Sequence, residues 1–468
     1  MRKHNKRVNM KMTHSRTLWA SAALLPDGWA RDVRIEVGAD GRIARVQPDQ
    51  PRTGQSVGVV LPAPNNLHSH AFQRAMAGMT EARGPDPRDT FWTWRKLMFR
   101  FLDHLTPEEC QAIAAMVQME SLEAGFAAMT EFHYLHHQPG GVAYDNPAEM
   151  AARIVAAAQD TGIGLTLLPV LYRYGGCDRR ALAPGQSRFG TTPDQFADLF
   201  HGAAAALSEL GADATLGVAP HSLRAVQPDD LRHCIALADG RVMHMHLAEQ
   251  EAEVAEVEAS LGARPVEWLL ANADITAQWC LIHCTQMQPD ETTALAATGA
   301  IAGLCPVTEA SLGDGIFDGA RFLAAGGAFG IGSDSNIRIS VIEELRALEY
   351  SQRLREKGRA VLATREQSTG RVLWQGACRG GAQAGGRASG QIAVGLWADL
   401  IALDDTHPDL AVCRGDMILD TLIFTADQSA ISEVWSAGRH VVTGGKHIRR
   451  EKILQDYRRA LQRLRALL

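Results

Sequence analysis

No two of the chain's eight cysteines form a C-x-x-C pair. Cys280 and Cys284 straddle His283, but on strand-like chain, a poor geometry for a zinc knuckle. The cysteines read as reduced, mostly buried thiols of a cytosolic protein. No apolar run reaches the ~20 residues that a membrane-spanning helix needs, so no membrane is expected as a partner. Positive charge is not in excess either. Lys and Arg total 47 against 53 Asp and Glu, a net charge of −6, which implies no broad basic surface for nucleic acid. No repeat or low-complexity tract stands out; 376–390 reads as a merely glycine-rich stretch. Lysine is absent altogether between Lys96 and Lys357.

What is present is an ordinary globular composition, 46% apolar and 21% charged, in 468 residues. That length suffices for one large domain and one small one. Residues 1–16 carry six Lys or Arg and no acid, and with the apolar 18–25 they mimic a secretory signal. The apolar piece, however, runs directly into an Asp27-Gly28 turn. A disordered basic extension is expected over 1–16, with Met10 and Met12 as alternative starts.

Eight short apolar runs read as strands: 59–65, 129–135, 164–171, 214–219, 242–247, 279–284, 301–306 and 328–333. Helical patterns rich in Ala, Leu and Glu separate most of them, as at 108–124, 146–161, 228–238 and 265–272. Strands alternating with helices imply a parallel sheet with helical crossovers. The expected fold is α/β, a (β/α)8 TIM-like barrel over 61–384. The ends read differently. Hairpin signals at Asp27-Gly28 and Asp40-Gly41 break up 17–48, and 390–445 repeats the style with runs at 400–403, 419–424 and 434–442. A small β-sandwich built from 17–60 and 385–450 is expected, with the barrel inserted, and a solvated terminal helix over 451–468.

Four of the runs end in metal-binding side chains. Asn66-Leu67-His68-Ser69-His70 follows the first, and in an extended chain side chains two apart share a side, so His68 and His70 face one ion. His244 and His246 lie in Met243-His244-Met245-His246-Leu247-Ala248-Glu249, His283 closes another run, and Asp334 follows Gly330-Ile331-Gly332-Ser333. Such barrels carry their active sites at the C-terminal ends of the strands. His68, His70, His246 and Asp334 are assigned as ligands of one divalent ion; three imidazoles and a carboxylate suit Zn2+, with Fe2+ as the alternative. His244 shares the strand face of His246 and stays open as a ligand, although Glu249, three residues past His246, favours the latter. Such an ion lowers the pKa of a water from ~16 towards ~7 and makes it a nucleophile.

These motifs, together with the return segment Gly390-Gln391-Ile392-Ala393-Val394-Gly395-Leu396-Trp397-Ala398-Asp399-Leu400, resemble the deaminase branch of the amidohydrolase superfamily over about residues 17–450. Members with two metals usually bridge them through a carboxylated barrel lysine. None is available here, so the resemblance implies a mononuclear site. Leu67 to Gly78, Phe91-Trp92-Thr93-Trp94-Arg95, Glu131-Phe132-His133-Tyr134 and Pro220-His221-Ser222-Leu223-Arg224 further resemble the formimidoylglutamate deiminase family. The resemblance implies a cytoplasmic homodimer that hydrolyses N-formimidoyl-L-glutamate to N-formyl-L-glutamate and ammonia in histidine degradation. On that reading Asp334 accepts the water proton, Glu249 passes one to the departing nitrogen, and His283 steadies the tetrahedral intermediate. General acid–base help of this kind is worth ~10²–10⁴-fold per group. The substrate's two carboxylates call for Arg224 and Arg95, because arginine binds carboxylate bidentately. Gln73, Tyr134 and His221 add neutral hydrogen bonds, and Arg338 is held in reserve. A lid is expected at 80–89. The rival readings are a deaminase of an aromatic base or nucleoside, whose pocket does not need two arginines, and a non-catalytic assembly protein, which would lose metal ligands.

Overall fold

The computed structural model describes residues 15–82 and 91–467, the side chains of 91–93 excepted. Most of the expected basic extension lies outside the described residues, as do 83–89 of the expected lid. Arg16, counted with the extension, instead opens the first strand.

Strands from both chain ends pair in one sheet. It is built from β1 (Arg16–Leu25), β2 (Gly28–Val37), β3 (Ile43–Gln47) and β4 (Gln55–Pro62), with four strands that arrive after the barrel. The Asp27-Gly28 turn joins β1 to β2 with Leu25 paired to Gly28, and Asp40-Gly41 lies between β2 and β3. The barrel follows: β5 (Asn65–Ser69), β6 (Ala128–His133), β7 (Gly164–Leu171), β8 (Thr215–Leu216), β9 (Ala219–Pro220), β10 (Met243–Leu247), β11 (Trp279–His283), β12 (Ile301–Leu304) and β13 (Ala328–Ile331). The sheet then resumes with β14 (Leu400–Leu403), β15 (Ile431–Ser436), β16 (Arg439–Thr443) and β17 (Lys446–His447), in the order β17-β16-β15-β14-β4-β1-β2-β3. Its far edge curls back: Arg42 bridges Trp397, and Ile43 donates to Leu396 O at 2.8 Å. One face thereby encloses a core of its own, with Leu18, Ile35, Val60, Leu400 and Trp435. The other face, with Leu61, Ile401 and Val434, joins the main core against the barrel.

Barrel strands pair in parallel, β5-β6-β7-β8 on one side and β10-β11-β12-β13 on the other. β8 and β9 are one strand position interrupted at Gly217, whose backbone is crowded by Leu168 and Val242. Val218 and Ser222 bridge across to β10. The ring closes where the residues after β13 meet β5: Asp334 donates its N–H to His68 O and His70 donates to Asp334 O, each at 2.9 Å. Gly332 permits that approach, since a Cβ there would lie 2.7 Å from the His68 nitrogen. Among the described residues no helix is long and apolar enough to cross a membrane. All eight cysteines are unpaired and buried.

The sequence reading needs four corrections. Residues 59–65 are not the first barrel strand. β4 ends at Pro62 and belongs to the small sheet, and the barrel begins at Asn65 after the Ala63-Pro64 break. The run at 419–424 is not a strand but part of the helix Met417–Phe424, which buries Ile418, Leu419, Leu422 and Ile423 at helical spacing. The glycine-rich stretch hides a helix, Thr369–Ala384. Its glycines let it lie against the strands: a Cβ on Gly380 would come within 1.8 Å of Phe329 O. In addition, 434–442 splits into the β15–β16 hairpin.

Candidate active site

His68 lies within β5 and His70 one residue past its end, while His246 is on β10 and Asp334 three residues beyond β13. One ligand atom from each falls within 4.8 Å of the other three, and all four residues are buried. His68 Nε2 lies 3.1 Å from His246 Nε2, and Asp334 Oδ1 lies 3.5 Å from His68 Nε2 and 3.2 Å from His70 Nε2. Two of the outer nitrogens are committed, those of His70 and His246, while His68 Nδ1 is buried without a partner. His70 Nδ1 donates to Phe132 O at 3.0 Å, and His246 Nδ1 to His221 O at 3.1 Å. Such bonds fix the tautomer and turn the Nε2 lone pairs inward. Burial keeps these rings neutral, driving His68 down to about 3 and His246 well below the usual range. Burial opposes ionisation of Asp334, but its contact with His68 and the nearness of His70 and His283 outweigh it and hold the carboxyl well below the usual carboxylate range. Three imidazoles and a carboxylate converging in this way suit one divalent cation. His244 lies a layer deeper, its Nε2 2.8 Å from Ala384 O, and is not in the set.

Glu249 and His283 flank this cluster. His283 Nε2 is 3.9 Å from both Glu249 Oε1 and Asp334 Oδ2, and its Nδ1 is 3.2 Å from Glu309 Oε1. Ala248, His283 and Asp334, all at or just past barrel strand ends, have φ of 50°, 71° and 45°. Left-handed backbone is costly for these residues and gathers at functional sites. Arg224 donates to Glu249 Oε2 at 3.0 Å and lies 3.8 Å from Glu253.

Above the cluster opens a cavity of about 740 Å³. The expected substrate contacts all line it: Gln73, Arg95, Tyr134, His221 and Arg224. Gln73 Nε2 donates to the Tyr134 hydroxyl at 2.7 Å, and Arg95 Nη2 to the Tyr172 hydroxyl at 2.8 Å. His221 is neutral, pushed down by burial and then by Arg224 and Arg95. Arg338 does not line the cavity; it forks onto Glu343 at the surface. The sequence reading missed Tyr172, Trp94 and Arg180 on the cavity wall, and Glu309 behind His283. Arg180 sits in the segment after β7 and pairs with Asp178 and Glu256. The only available cue was position, since loops after barrel strands build such sites.

Residues 59–441 match the amidohydrolase family, and 15–55 match the N-terminal domain of the formimidoylglutamate deiminase HutF. A formimidoylglutamate deiminase of Pseudomonas aeruginosa is 46% identical over 451 residues, which cover 96% of this chain and 99% of the relative. A 5-methylthioadenosine/S-adenosylhomocysteine deaminase of Bacillus cereus is 26% identical over 416 residues, 86% of this chain and 87% of the relative. A crystal structure of an amidohydrolase from Brucella melitensis superposes with a TM-score of 0.92 at 46% identity, covering 96% of this chain and 99% of that one. Atrazine chlorohydrolase from Arthrobacter aurescens, complexed with zinc, superposes at 0.81 with 19% identity over 95% and 99%, a likeness of fold alone.

Proposed function

The chain belongs to the amidohydrolase family, among the formimidoylglutamate deiminases, and we propose that its reaction is the hydrolysis of N-formimidoyl-L-glutamate to N-formyl-L-glutamate and ammonia. One observation carries the substrate: three guanidiniums, Arg95, Arg180 and Arg224, line a cavity that also exposes His70, His246 and Asp334. A substrate with two carboxylates needs cationic partners, and arginine suits them. An aromatic base has no such need.

When bound by His68, His70, His246 and Asp334, a divalent cation supplies the Lewis acidity that makes water nucleophilic near neutral pH. Zinc is the ion of this reading, one per chain, with iron as the alternative. The remaining work falls to the side chains. Arg95 and Arg224 hold the carboxylates and set the formimidoyl carbon over the cluster, while Gln73, Tyr134 and His221 direct hydrogen bonds at the substrate. Water adds to the carbon of N–CH=NH, and the terminal nitrogen leaves as ammonia. That nitrogen must gain two protons, and the water supplies both. Asp334 accepts the first, and Glu249, beside it at the cavity wall, delivers protons to the nitrogen. His283 Nε2, facing both carboxylates, steadies the tetrahedral intermediate. The cytoplasmic homodimer and the role in histidine degradation belong to the same proposal.

Ammonia release from N-formimidoyl-L-glutamate, measured against guanine and 5-methylthioadenosine, tests the reading. Turnover of the amidine alone is expected. Release from a purine with none from the amidine would overturn it.

A further inference from the structure

Glu309 lies on the short helix Pro306–Leu312, which starts two residues after β12. Its Oε1 is 3.2 Å from His283 Nδ1 and accepts the Cys305 N–H at 2.8 Å. Both side chains are buried, His283 at 1% and Glu309 at 6% exposure. His283, Cys305 and Glu309 cluster closely enough to suggest a second ion. The bonding argues otherwise, because a single Glu309 oxygen already receives two N–H groups and Cys305 is a thiol that burial pushes well up. The trio is a hydrogen-bonded chain that ends on His283.

The position of His283 makes that chain consequential. Its backbone is left-handed, with φ of 71°, and Nε2 lies 3.9 Å from both Glu249 and Asp334. Which ring nitrogens carry protons depends on the groups they face. A carboxylate accepts and cannot donate, so it holds a proton on the nitrogen it faces. We propose that Glu309 is a positioning residue that keeps a proton on Nδ1 of His283 and holds the ring orientation, so that only Nε2 deals with the reacting group. The proposal rests on the hydrolytic reading above for its kinetic consequence, but not for the hydrogen bond itself. Glutamine in place of Glu309 keeps the volume and can still receive the Cys305 N–H. Its amide can also donate to Nδ1, which would displace the proton from that nitrogen. The same kind of asparagine-for-aspartate change behind a catalytic histidine is strongly damaging in the serine protease triad.

The test uses Glu309→Gln and Glu309→Met in the metal-loaded enzyme. Each variant is followed by metal content, by kcat and KM on N-formimidoyl-L-glutamate, and by ¹⁵N spectra of histidine-labelled protein, with His283 assigned from a His283→Asn variant. Expected for Glu309→Gln are full metal content, KM within about threefold of wild type, and kcat lower by ~10- to 100-fold or more. His283 Nδ1 should be protonated in wild type and lose that preference in the variant. Glu309→Met leaves Nδ1 and the Cys305 N–H without an acceptor and should lose more activity; if it does not fold, the glutamine variant and the spectra still decide. An unprotonated Nδ1 in wild type, or a glutamine variant with wild-type kcat, overturns the proposal. A wild-type enzyme inert towards the amidine but carrying the Nδ1–H to Glu309 would overturn the substrate and leave the positioning role standing.

Discussion

At the N-terminal end of the barrel, buried charge is closed in a matched set. Arg387 bonds Asp213 and Asp399, and Arg439 bonds Asp213 through both of its terminal nitrogens. Two arginines meet two aspartates, and the set ties the barrel to the small sheet. The C-terminal end carries an excess of acid. Glu249, Glu253, Glu309, Asp314 and Asp334 are all buried there against fewer cations: Arg224 reaches Glu249 and Glu253, and His283, which burial lowers but Glu249, Glu309 and Asp334 together push up to about 10, faces those three. Burial, and after it the charge of Glu249, pushes the Asp314 carboxyl up to about 9. Unmatched buried carboxylates cost stability. A divalent ion in one place and a protonated acid in another relieve that cost, and the first is a means to catalysis. The difference teaches where to look: paired charge marks the end that holds the fold, and unpaired charge marks the end that works.

The contrast makes its largest claim at the ligands. His70→Ala should release the ion from a site that otherwise holds about one per chain by elemental analysis. Losing a Lewis acid worth several kcal/mol should cut turnover by ~10³-fold or more. Two tightly held ions per chain in wild type would break the site model.

Arg224→Met comes next. Leaving a substrate carboxylate unpaired in a closed pocket costs roughly 2–5 kcal/mol, or ~30- to several-thousand-fold in kcat/KM. The loss should shrink on a formimidoyl amine without carboxylates. Because Arg224 also bonds Glu249 at 3.0 Å, equal losses on both substrates would assign it to holding that glutamate instead. Glu249→Gln keeps the shape but cannot cycle a proton. Metal should be retained and kcat should fall ~10²-fold. Turnover near wild type would remove Glu249 from the proton path.

How much of this was legible depends on whether a feature is local. The ligand motifs were, because His68 and His70 are two apart on extended chain and Glu249 closely follows His246. The barrel count survived although its first strand was misplaced, since the Val57 to Pro62 run looks the same whether it pairs with β1 and β14 or enters the barrel. The helix Met417–Phe424 was misread because its sequence, Met417-Ile418-Leu419-Asp420-Thr421-Leu422-Ile423-Phe424, is apolar on nearly every side, which erases the period that separates helix from strand. Only Glu249 favours His246 over His244 in the sequence; depth in the barrel separates the two. Tyr172, Arg180 and Glu309 belong to no motif, and only the closed ring of strands brings them to the cavity and to His283.

The smallest expected effect belongs to the matched end, and it is one of stability. Burial pushes the Asp213 carboxyl up, but Arg439 and Arg387 more than offset it and hold its pKa at about 2. The unfolded chain has an ordinary value near 3.9. A carboxyl depressed on folding stabilises the protein above its unfolded pKa, and that contribution is lost as pH falls through the folded one. For a shift of this size it amounts to roughly 2–3 kcal/mol, present in full at neutral pH and fading between about pH 4 and 2. Asp213→Asn should therefore unfold more easily than wild type at pH 7 while keeping its metal and its kcat. The stability gap between the two proteins, from denaturant unfolding at a series of pH values, should narrow as pH drops through that window. Metal release in acid affects both alike and leaves the difference. A gap independent of pH would mean that Asp213 acts there through shape rather than charge, and a fall in kcat at pH 7 would mean that the two ends are not separate.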